Sequence, residues 1–295
     1  MNDTRRPYIF GEVLFDRFPD GQVILGGAPF NVAWHLQAFG QAPLFVSRIG
    51  DDKLGRLVQS AMQAWGLDTR GLQVDAEHAT GSVEVTFDAG EPSYEILADS
   101  AYDHIVPELL PPGDAGLLYH GTLALRTACS AAALAELKRA SAAPVLLDVN
   151  LRPPWWQMRQ VQDLINDARW VKLNHDELDT LISGTAALDD KVAQLMQQHR
   201  IELLIVTRGS NGATAFARDG STAVVQPAAG AELVDTVGAG DAFTSVIALG
   251  LLLDWPLDRT MTRAQQFASA LVGVRGATVQ DPQFYQRFLS DWKLS

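Results

Sequence analysis

The sequence contains a single cysteine among its 295 residues, Cys129. One thiol cannot form a disulfide within the chain, so a disulfide framework is excluded, and the lone thiol fits a reducing compartment such as the cytoplasm. No apolar run approaches the roughly 18 residues that a membrane-spanning helix needs. The longest run extends from Val246 to Leu253. The first residues lack an apolar segment followed by a small-residue cleavage site, so we expect neither a signal peptide nor a membrane partner.

Positive charge is also scarce. The chain has 23 Lys and Arg against 35 Asp and Glu, which gives a formal net charge of -12 at pH 7. Nucleic-acid-binding proteins usually carry a basic face, whereas the basic residues here are scattered, so we expect no nucleic-acid partner. A small anionic ligand is still compatible with this composition, because backbone N–H groups at a helix start bind phosphate without basic side chains.

Several common motifs are missing. The sequence has no Gly-x-x-x-x-Gly-Lys-Ser/Thr segment, so any phosphate site is not a P-loop. The segment nearest to a Gly-x-Gly-x-x-Gly fingerprint begins at Gly238 and has Phe243 in its last place. The six histidines show no zinc-binding spacing.

The sequence does contain an alternation of apolar β-like runs and helical patterns. Strands are predicted at residues 43–50, 116–121, 144–150 and 170–174, a strand followed by a turn at 201–212, and helices at 51–66 and 130–141 and after residue 174. This alternation predicts one α/β domain over residues 1–295, with a mostly parallel sheet covered by helices. In such sheets ligands bind beyond the carboxyl ends of the strands.

Two segments break this alternation. Residues 11–27 and 80–99 each show two apolar-alternating runs around a turn, which predicts antiparallel hairpins. The hairpins, at about 12–25 and 81–99, could form a small separate sheet lying over the main one. The alternative is two surface hairpins at the edge of the main sheet.

The segment "DTVGAGDAF" (235–243) places small residues and a carboxylate at the start of an apolar helix. The first N–H groups of a helix lack partners and carry partial positive charge, so small residues there leave room for a phosphate. Asp241 would repel that anion and therefore needs another role, such as accepting the proton of an attacking hydroxyl. The alternative is a capping aspartate after small residues that only permit close packing.

The segment "GGAPFNVAWHLQAFG" (26–40) predicts a second helix of this kind. Its two leading glycines allow close backbone approach, Pro29 suits a first helical turn, and Gly40 ends the helix. Asn31 therefore lies in the first turn, at the end of the helix where a ligand would bind.

These two segments resemble the carboxyl-terminal and amino-terminal signatures of the ribokinase-like, PfkB-type sugar kinases. The resemblance extends from "GEVLFD" (11–16) to "VRGA" (274–277). It implies a three-layer fold, with a mostly parallel central sheet, helices on both faces and a small β-sheet lid. It also implies a kinase that phosphorylates a sugar with ATP and Mg²⁺, and a homodimer formed through the lid.

The resemblance assigns roles around the helix start. Asp241 would be the general base that deprotonates the sugar hydroxyl. The N–H groups of Gly238, Ala239 and Gly240 would form the anion hole. Asp235 and the carbonyl of Val237 would hold a potassium ion.

The resemblance also assigns a sugar side. Its residues would be Asp16, Gly26, Gly27, Asn31, Asn150 and Arg152. An exposed strand-end charge is the alternative for Asp16, and a surface arginine at a strand end is the alternative for Arg152. His120 ends a strand and either contacts the sugar or is a core histidine with satisfied hydrogen bonds. Trp155 and Trp156 are expected to pack rather than to stack on a ligand.

On the nucleotide side, "NHDE" (174–177) resembles the family's Asn-x-x-Glu motif. Glu177 would hold magnesium through water, as suits a cation that keeps its hydration shell, and Asn174 would lie near the phosphates. A helix cap explains the same two residues structurally. The resemblance further places ATP close to the backbone at Thr207, Gly209 and Gly212.

The acceptor is expected to be fructose, phosphorylated at its 6-hydroxyl, because "GGAP" and "NLRPPWW" (150–156) resemble the fructokinase and 2-keto-3-deoxygluconate kinase branch. One departure is the segment 93–103, which lacks the arginine that this branch often carries in the second hairpin. A nucleoside kinase and a non-catalytic sugar or nucleotide sensor on the same fold are the alternatives.

Overall fold

The computed structural model describes residues 6–88, 91–110, 113, 115–227 and 235–294. The strands are β1 (Pro7–Phe10), β2 (Leu14–Arg17), β3 (Val23–Gly26), β4 (Leu44–Gly50), β5 (Leu72–Asp75), β6 (Gly81–Asp88), β7 (Glu91–Ile96), β8 (Leu117–His120), β9 (Val145–Asp148), β10 (Trp170–Asn174), β11 (Leu203–Thr207), β12 (Ala213–Ala217) and β13 (Thr222–Val225). The helices are α1 (Ala28–Ala38), α2 (Lys53–Trp65), α3 (Ala128–Ser141), α4 (Met158–Asp167), α5 (His175–Leu181), α6 (Leu188–Gln198), α7 (Ala239–Leu252), α8 (Leu257–Leu271) and α9 (Pro282–Trp292).

The large sheet has nine strands in the order β13-β12-β11-β10-β9-β8-β1-β4-β5. From β11 to β5 neighbouring strands are parallel, and β12 and β13 join one edge antiparallel. The chain builds outward from β1 through β4 to β5 on one side, and from β8 through β9 and β10 on the other. The order therefore reverses between β1 and β8, and the carboxyl ends there form the crevice in which such sheets bind ligands.

Successive side chains of the central strands enter two different cores. In β1, Ile9 belongs to the core beneath α1, α2, α7, α8 and α9, whereas Tyr8 and Phe10 belong to the core beneath α3, α4, α5 and α6. Because both faces are covered, these strands read as continuous apolar runs in the sequence. The predicted three-layer α/β arrangement is confirmed. Within the described residues, no helix has the length and apolar character needed to cross a bilayer.

The two predicted hairpins join into a separate four-stranded sheet with the order β3-β2-β6-β7. Strands β2 and β6 pair in parallel, with Asp16 beside Val83. The interpretation of the hairpins as edges of the main sheet is therefore wrong, and we call the four-stranded sheet the lid sheet. Its turn at residues 89–90 lies outside the described residues. Side chains of the lid sheet pack with Tyr102, Leu123 and Trp155 of the body.

Both helices predicted to face a ligand form where the sequence places them. Helix α1 has its proline in the first turn, and Gly40, two residues beyond its end, has a φ of 74°. Helix α7 contains ten buried residues, which explains its long apolar run. The two helices pack against each other and bring their first turns together.

Candidate active site

Helix α7 begins at a position that strongly favours glycine. Gly238 is the N-cap residue with a φ of 79°, in the left-handed region. A Cβ added there would collide with Ala277. The chain therefore approaches this helix start closely from the segment after α8.

The first turn of α7 presents unpaired backbone donors. Ala239 donates a long bond of 3.3 Å to the carbonyl of Thr236, and the first intrahelical bond is donated by Ala242. The N–H groups of Gly240 and Asp241 bond no carbonyl among the described residues, as the geometry of a helix start requires. Small side chains leave the Gly240 and Asp241 donors open to an anion. The anion hole of Gly238, Ala239 and Gly240 stays a prediction.

Asp241 contacts Asn31 across the crevice. The Nδ2 of Asn31 donates a hydrogen bond of 2.7 Å to Oδ2 of Asp241, although the residues are 210 positions apart in sequence. The Oδ1 of Asn31 is buried and has no hydrogen-bond partner within the described part of the chain. An acceptor and a carboxylate thus lie side by side, ready to engage one hydroxyl group.

The surroundings of Asp241 oppose its negative charge. Burial raises the pKa of its carboxyl, while the hydrogen bond from Asn31 lowers it. The charge of Asp148 raises the pKa further, and those of Lys172 and Arg152 lower it. A carboxylate with a raised pKa is a better proton acceptor at neutral pH than an ordinary aspartate.

Three of the residues predicted for the sugar side lie on the lid sheet or at its junction with α1. Asp16 lies on lid strand β2, and burial raises the pKa of its carboxyl. Gly26 ends β3 near Asn31, since a Cβ there would lie 3.9 Å from the Asn31 Oδ1. Gly27 has a φ of 109°, and a Cβ there would lie 2.8 Å from the carbonyl oxygen of Glu12. The lid therefore joins the ligand end of α1 at this point.

Asn150 and Arg152 follow β9, as predicted. Asn150 adopts a left-handed φ of 39°, which redirects the chain after the strand. Arg152 is exposed. Its positive charge lowers the pKa values of Glu12 and Asp241, whereas burial raises them. The guanidinium therefore lies within electrostatic reach of the crevice.

His120 is completely buried at the end of β8. Its Nδ1 lies 2.9 Å from the carbonyl oxygen of Gly121, and burial lowers the pKa of the ring to about 3. His120 is therefore a core residue, with a hydrogen-bond partner for one of its two ring nitrogens. The Nε2 has no hydrogen-bond partner among the described residues, so a contact with the sugar stays a prediction.

On the nucleotide side, Asn174 and Glu177 form a capping box at the start of α5. The Oε2 of Glu177 accepts from the Asn174 N–H at 2.8 Å, and its Oε1 accepts from the Leu151 N–H at 2.7 Å. Burial raises the pKa of the Glu177 carboxyl. The helix-cap role is therefore present, and a water-mediated magnesium role stays a prediction.

Thr207 pairs in register with Asn174 at the carboxyl ends of β11 and β10. Gly209 and Gly212 follow with φ values of 53° and 78°, and a Cβ at Gly212 would collide with the Val225 carbonyl. This turn is thus compact, and its contact with a nucleotide stays a prediction.

Asp235 anchors the loop before α7. Its Oδ1 accepts from the Val237 N–H at 2.9 Å, and its Oδ2 accepts from the Gly276 N–H at 3.0 Å. Val237 is 50% exposed. These bonds join the loop before α7 to the segment after α8. Potassium binding by Asp235 and the Val237 carbonyl stays a prediction.

Comparisons with known proteins show the family of the chain. The pfkB family carbohydrate kinase model matches residues 5–283. The chain belongs to the pfkB family of carbohydrate kinases. It is 34% identical to a fructokinase of Klebsiella pneumoniae over 260 residues, which cover 83% of each chain. The prediction of a kinase that phosphorylates a sugar hydroxyl is confirmed.

Solved structures support the same fold. A fructokinase from Xylella fastidiosa with bound ATP has a TM-score of 0.87 and 23% identity over 99% of both chains. An aminoimidazole riboside kinase from Salmonella enterica, complexed with aminoimidazole riboside and an ATP analog, has a TM-score of 0.83. Its identity is 25%, with coverage of 97% of this chain and all of that one.

Sequence reasoning missed a buried glutamate in this pfkB-family kinase. Glu12 is 4% exposed, and burial raises the pKa of its carboxyl to about 7. Its Oε2 has no hydrogen-bond partner among the described residues. Its position in the sequence could have identified it, because Glu12 lies two residues after the carboxyl end of β1, where the strand order of the sheet reverses.

A buried ion pair beneath the start of α7 was missed as well. The Nζ of Lys172 lies 3.1 and 3.0 Å from the two carboxylate oxygens of Asp148, and Thr244 donates to Asp148 at 3.0 Å. Burial by itself lowers the pKa of Lys172, but Asp148 and Glu177 outweigh it, so the pKa is raised. The sequence feature that could have identified the pair is the presence of one charged residue in each of two apolar strands, Asp148 in β9 and Lys172 in β10.

A buried arginine at the base of the lid, Arg126, was also missed. It ends a short 3-10 helix (Leu123–Arg126) after β8, and its Nε and Nη2 donate to the two carboxylate oxygens of Asp103 at 2.7 Å. Nη2 also donates to the carbonyl of Leu97 at 2.6 Å, and its guanidinium lies over the Trp155 ring. Trp155 and Trp156 pack in the body, as predicted.

Proposed function

We propose that this pfkB-family kinase transfers the γ-phosphoryl group of ATP to the 6-hydroxyl of fructose, with Asp241 as general base. The observation that carries the proposal is the contact between Asp241 and Asn31 at a helix start where the N–H groups of Gly240 and Asp241 bond no carbonyl among the described residues. The fructokinase name of the Klebsiella pneumoniae relative and the two kinase structures support the choice of sugar and nucleotide.

In this mechanism the acceptor hydroxyl lies beside the hydrogen-bonded pair of Asn31 and Asp241. The hydroxyl donates its proton to Asp241, and its oxygen forms a bond to the γ-phosphorus as the bond from that phosphorus to the bridging oxygen of ADP breaks. The N–H groups of Gly238, Ala239 and Gly240 stabilise the charge on the transferred phosphoryl group. Lys172 adds a buried positive charge beneath the same turn.

The cation sites are assigned by the chemistry of their donors. The Glu177 carboxylate would hold hydrated magnesium through water, because each oxygen bonded to a backbone N–H keeps a further acceptor position. Magnesium neutralises phosphate charge when bound. Asn174, Thr207, Gly209 and Gly212 would contact the nucleotide. The oxygens of Asp235 and Val237 would suit potassium.

The sugar would be held mainly by side chains with open polar atoms. The Asn31 Oδ1 and the carboxylate of Asp16 can accept sugar hydroxyls, and hydrogen bonds to a charged carboxylate are the stronger kind. Asn150 and Arg152 would contact the sugar from the side opposite Asp16 and Asn31. A nucleoside remains the second candidate acceptor, since the Salmonella enterica structure holds aminoimidazole riboside in a similar fold.

A substrate panel tests the acceptor. We would measure ADP release with fructose, 2-keto-3-deoxygluconate, ribose and nucleosides, and locate the phosphate on the product by NMR. We expect the highest kcat/KM for fructose and phosphate on the 6-oxygen. A nucleoside that outcompeted fructose would replace this acceptor, and ligand binding with no turnover would identify a sensor.

The substitution Asp241→Asn tests the general base. It is expected to lower kcat about 100- to 10,000-fold, the range for losing one acid–base group, with little change in fructose and ATP affinity. Asp258→Asn is the matched control, because Asp258 is an exposed aspartate in the first turn of α8. If both variants kept most of their turnover, Asp241 would only be a helix-start acid.

A further inference from the structure

Two imidazoles and a carboxylate meet at the base of the lid sheet. His78 lies three residues before β6, and Asp99 lies three residues after β7. His104 ends the short 3-10 helix Ala101–His104 that follows. The three side chains thus join both ends of the second lid hairpin, and none of them belongs to the proposed phosphoryl-transfer site.

The ligand atoms of this cluster are spaced for one metal ion. The Nε2 of His104 lies 2.8 Å from the Asp99 Oδ1, and the Nε2 of His78 lies 3.7 Å from it. One ligand atom from each residue lies within 4.8 Å of the other two. Zinc bonds of about 2.0–2.1 Å in a tetrahedron place ligand atoms roughly 3.3 Å apart. The three ligand atoms therefore lie near the spacing of one tetrahedral ion, although the ring orientations must change before an ion is bound.

A second carboxylate orients His78 in the manner of metal-binding histidines. The Nδ1 of His78 lies 2.9 Å from Oδ2 of Asp75, which is only 2% exposed. Asp75 is itself fixed by the Arg48 guanidinium at 3.0 Å and by the N–H of Glu77 at 2.8 Å. A proton on Nδ1 directed at the Asp75 carboxylate leaves the Nε2 lone pair facing Asp99. A carboxylate in the position of Asp75 is a usual outer partner of a metal-bound histidine.

The present ring arrangement requires one rotation before a metal is bound. The two imidazoles stack with centroids 3.6 Å apart and an angle of 15°, so their in-plane lone pairs cannot point at one ion. His78 is held by Asp75, whereas the ring of His104 is bonded to Asp99, whose side chain is 74% exposed. Rotation of the His104 ring brings its Nε2 toward an ion held by His78 and Asp99.

We propose that the Nε2 atoms of His78 and His104 and the carboxylate of Asp99 bind one Zn²⁺ ion, with water as the fourth ligand. Imidazole and carboxylate donors suit zinc and neighbouring transition metals better than they suit magnesium. The bound ion would tie the two ends of the second lid hairpin together and stabilise the base of the lid.

Zinc titration of the metal-stripped full chain, without ATP or magnesium, tests the proposal. Calorimetry is expected to show one Zn²⁺ per chain, and Co²⁺ is expected to give the absorption bands of a tetrahedral site. Asp99→Asn and His104→Ala should each weaken Zn²⁺ binding at least about tenfold, since second-shell losses alone cost 10- to 100-fold. Sugar-kinase activity confirms that each variant is folded.

His175→Ala is the matched control. His175 also lies beside a carboxylate, with its Nε2 3.3 Å from the Asp176 Oδ1, but it belongs to no three-residue cluster among the described residues. This variant should bind zinc like the unaltered chain. Unchanged zinc affinity in Asp99→Asn and His104→Ala, or no binding to the unaltered chain, would overturn the proposal. Because the readout needs no turnover, its failure would leave the proposed kinase reaction untested rather than disproved.

Discussion

At the scale of single residues, the protonation of Asp241 depends on few neighbours. Burial raises the pKa of its carboxyl, and the hydrogen bond from Asn31 opposes that change. Folding raises the pKa of Asp241, so its protonated form stabilises the folded chain. This contribution to the free energy of unfolding is lost as pH rises from the pKa of Asp241 in the unfolded chain to its pKa in the folded chain. As a base, however, Asp241 acts only above its folded pKa.

The substitution Asn31→Ala should move the acid limb of the kcat profile to higher pH. Removing the hydrogen bond removes an interaction that lowers the pKa of Asp241, so a larger fraction of the carboxyl is protonated at a given pH. The measurement is kcat against pH at saturating fructose and ATP.

Glu12→Gln is the control for that profile, because burial raises the pKa of Glu12 to about 7. If the acid limb belongs to Asp241, it persists in Glu12→Gln and shifts in Asn31→Ala. Loss of the limb in Glu12→Gln would assign it to Glu12 and contradict the prediction.

At the scale of elements, the start of α7 combines two glycines with different requirements. Gly238 has a left-handed φ, and a Cβ there would collide with Ala277. Gly240 has an ordinary helical backbone, and a Cβ there would meet the Lys172 Nζ only at 3.6 Å. One glycine is thus needed for folding, and the other leaves space beside the unpaired N–H groups.

Alanine at the two positions should separate stability from catalysis. Gly238→Ala is expected to lower the free energy of unfolding by about 1–3 kcal/mol, through backbone strain and the collision. Gly240→Ala should keep or slightly raise stability, since alanine favours a helix, yet it should lower kcat by blocking the anion site. Denaturant unfolding and kcat are measured on both. Equal kcat for Gly240→Ala and the unaltered chain would contradict the anion hole.

The ion pair of Lys172 and Asp148 connects β10, β9 and α7. Lys172→Met should lower the free energy of unfolding by about 3–5 kcal/mol, because it leaves the buried Asp148 carboxylate without its counter-charge. The double variant Lys172→Met with Asp148→Leu should recover much of that loss, measured by urea unfolding. Strictly additive destabilisation would show that the pair does not act as a unit.

At the scale of the whole molecule, a four-stranded lid sheet is attached to a nine-stranded body. The lid contributes Asp16 to the expected sugar side, and Arg126 of the body bonds the Leu97 carbonyl at the lid base. A lid that closes on the sugar would exclude water from the phosphoryl group and limit wasteful ATP hydrolysis. Pairing of two copies through the lid sheet stays a prediction.

Fructose should increase the hydrogen-exchange protection of the amides in β6 and β7. Closure would order the lid, while the buried central strands β1 and β8 are expected to exchange slowly with or without sugar. Exchange is followed by mass spectrometry at matched protein concentration. Identical lid protection with and without fructose would argue against closure.

The sequence by itself determined those features that follow from local patterns. Apolar runs separated by helical patterns predicted the parallel sheet, and Pro29 and Gly40 bounded α1. The small residues before Asp241 predicted a helix start open to an anion. These features depend on backbone geometry within a few residues, so a one-dimensional pattern contains enough information to identify them.

Only the tertiary structure decided which distant residues meet. The bond from Asn31 to Asp241, the pairing of Lys172 with Asp148, and the burial of Glu12 arise from packing between elements far apart in the chain. The cluster of His78, Asp99 and His104 has no recognisable spacing, because its members are joined by the pairing of β6 with β7. Long-range contacts and the burial they create set the charges and pKa values of the site, and no local pattern specifies them.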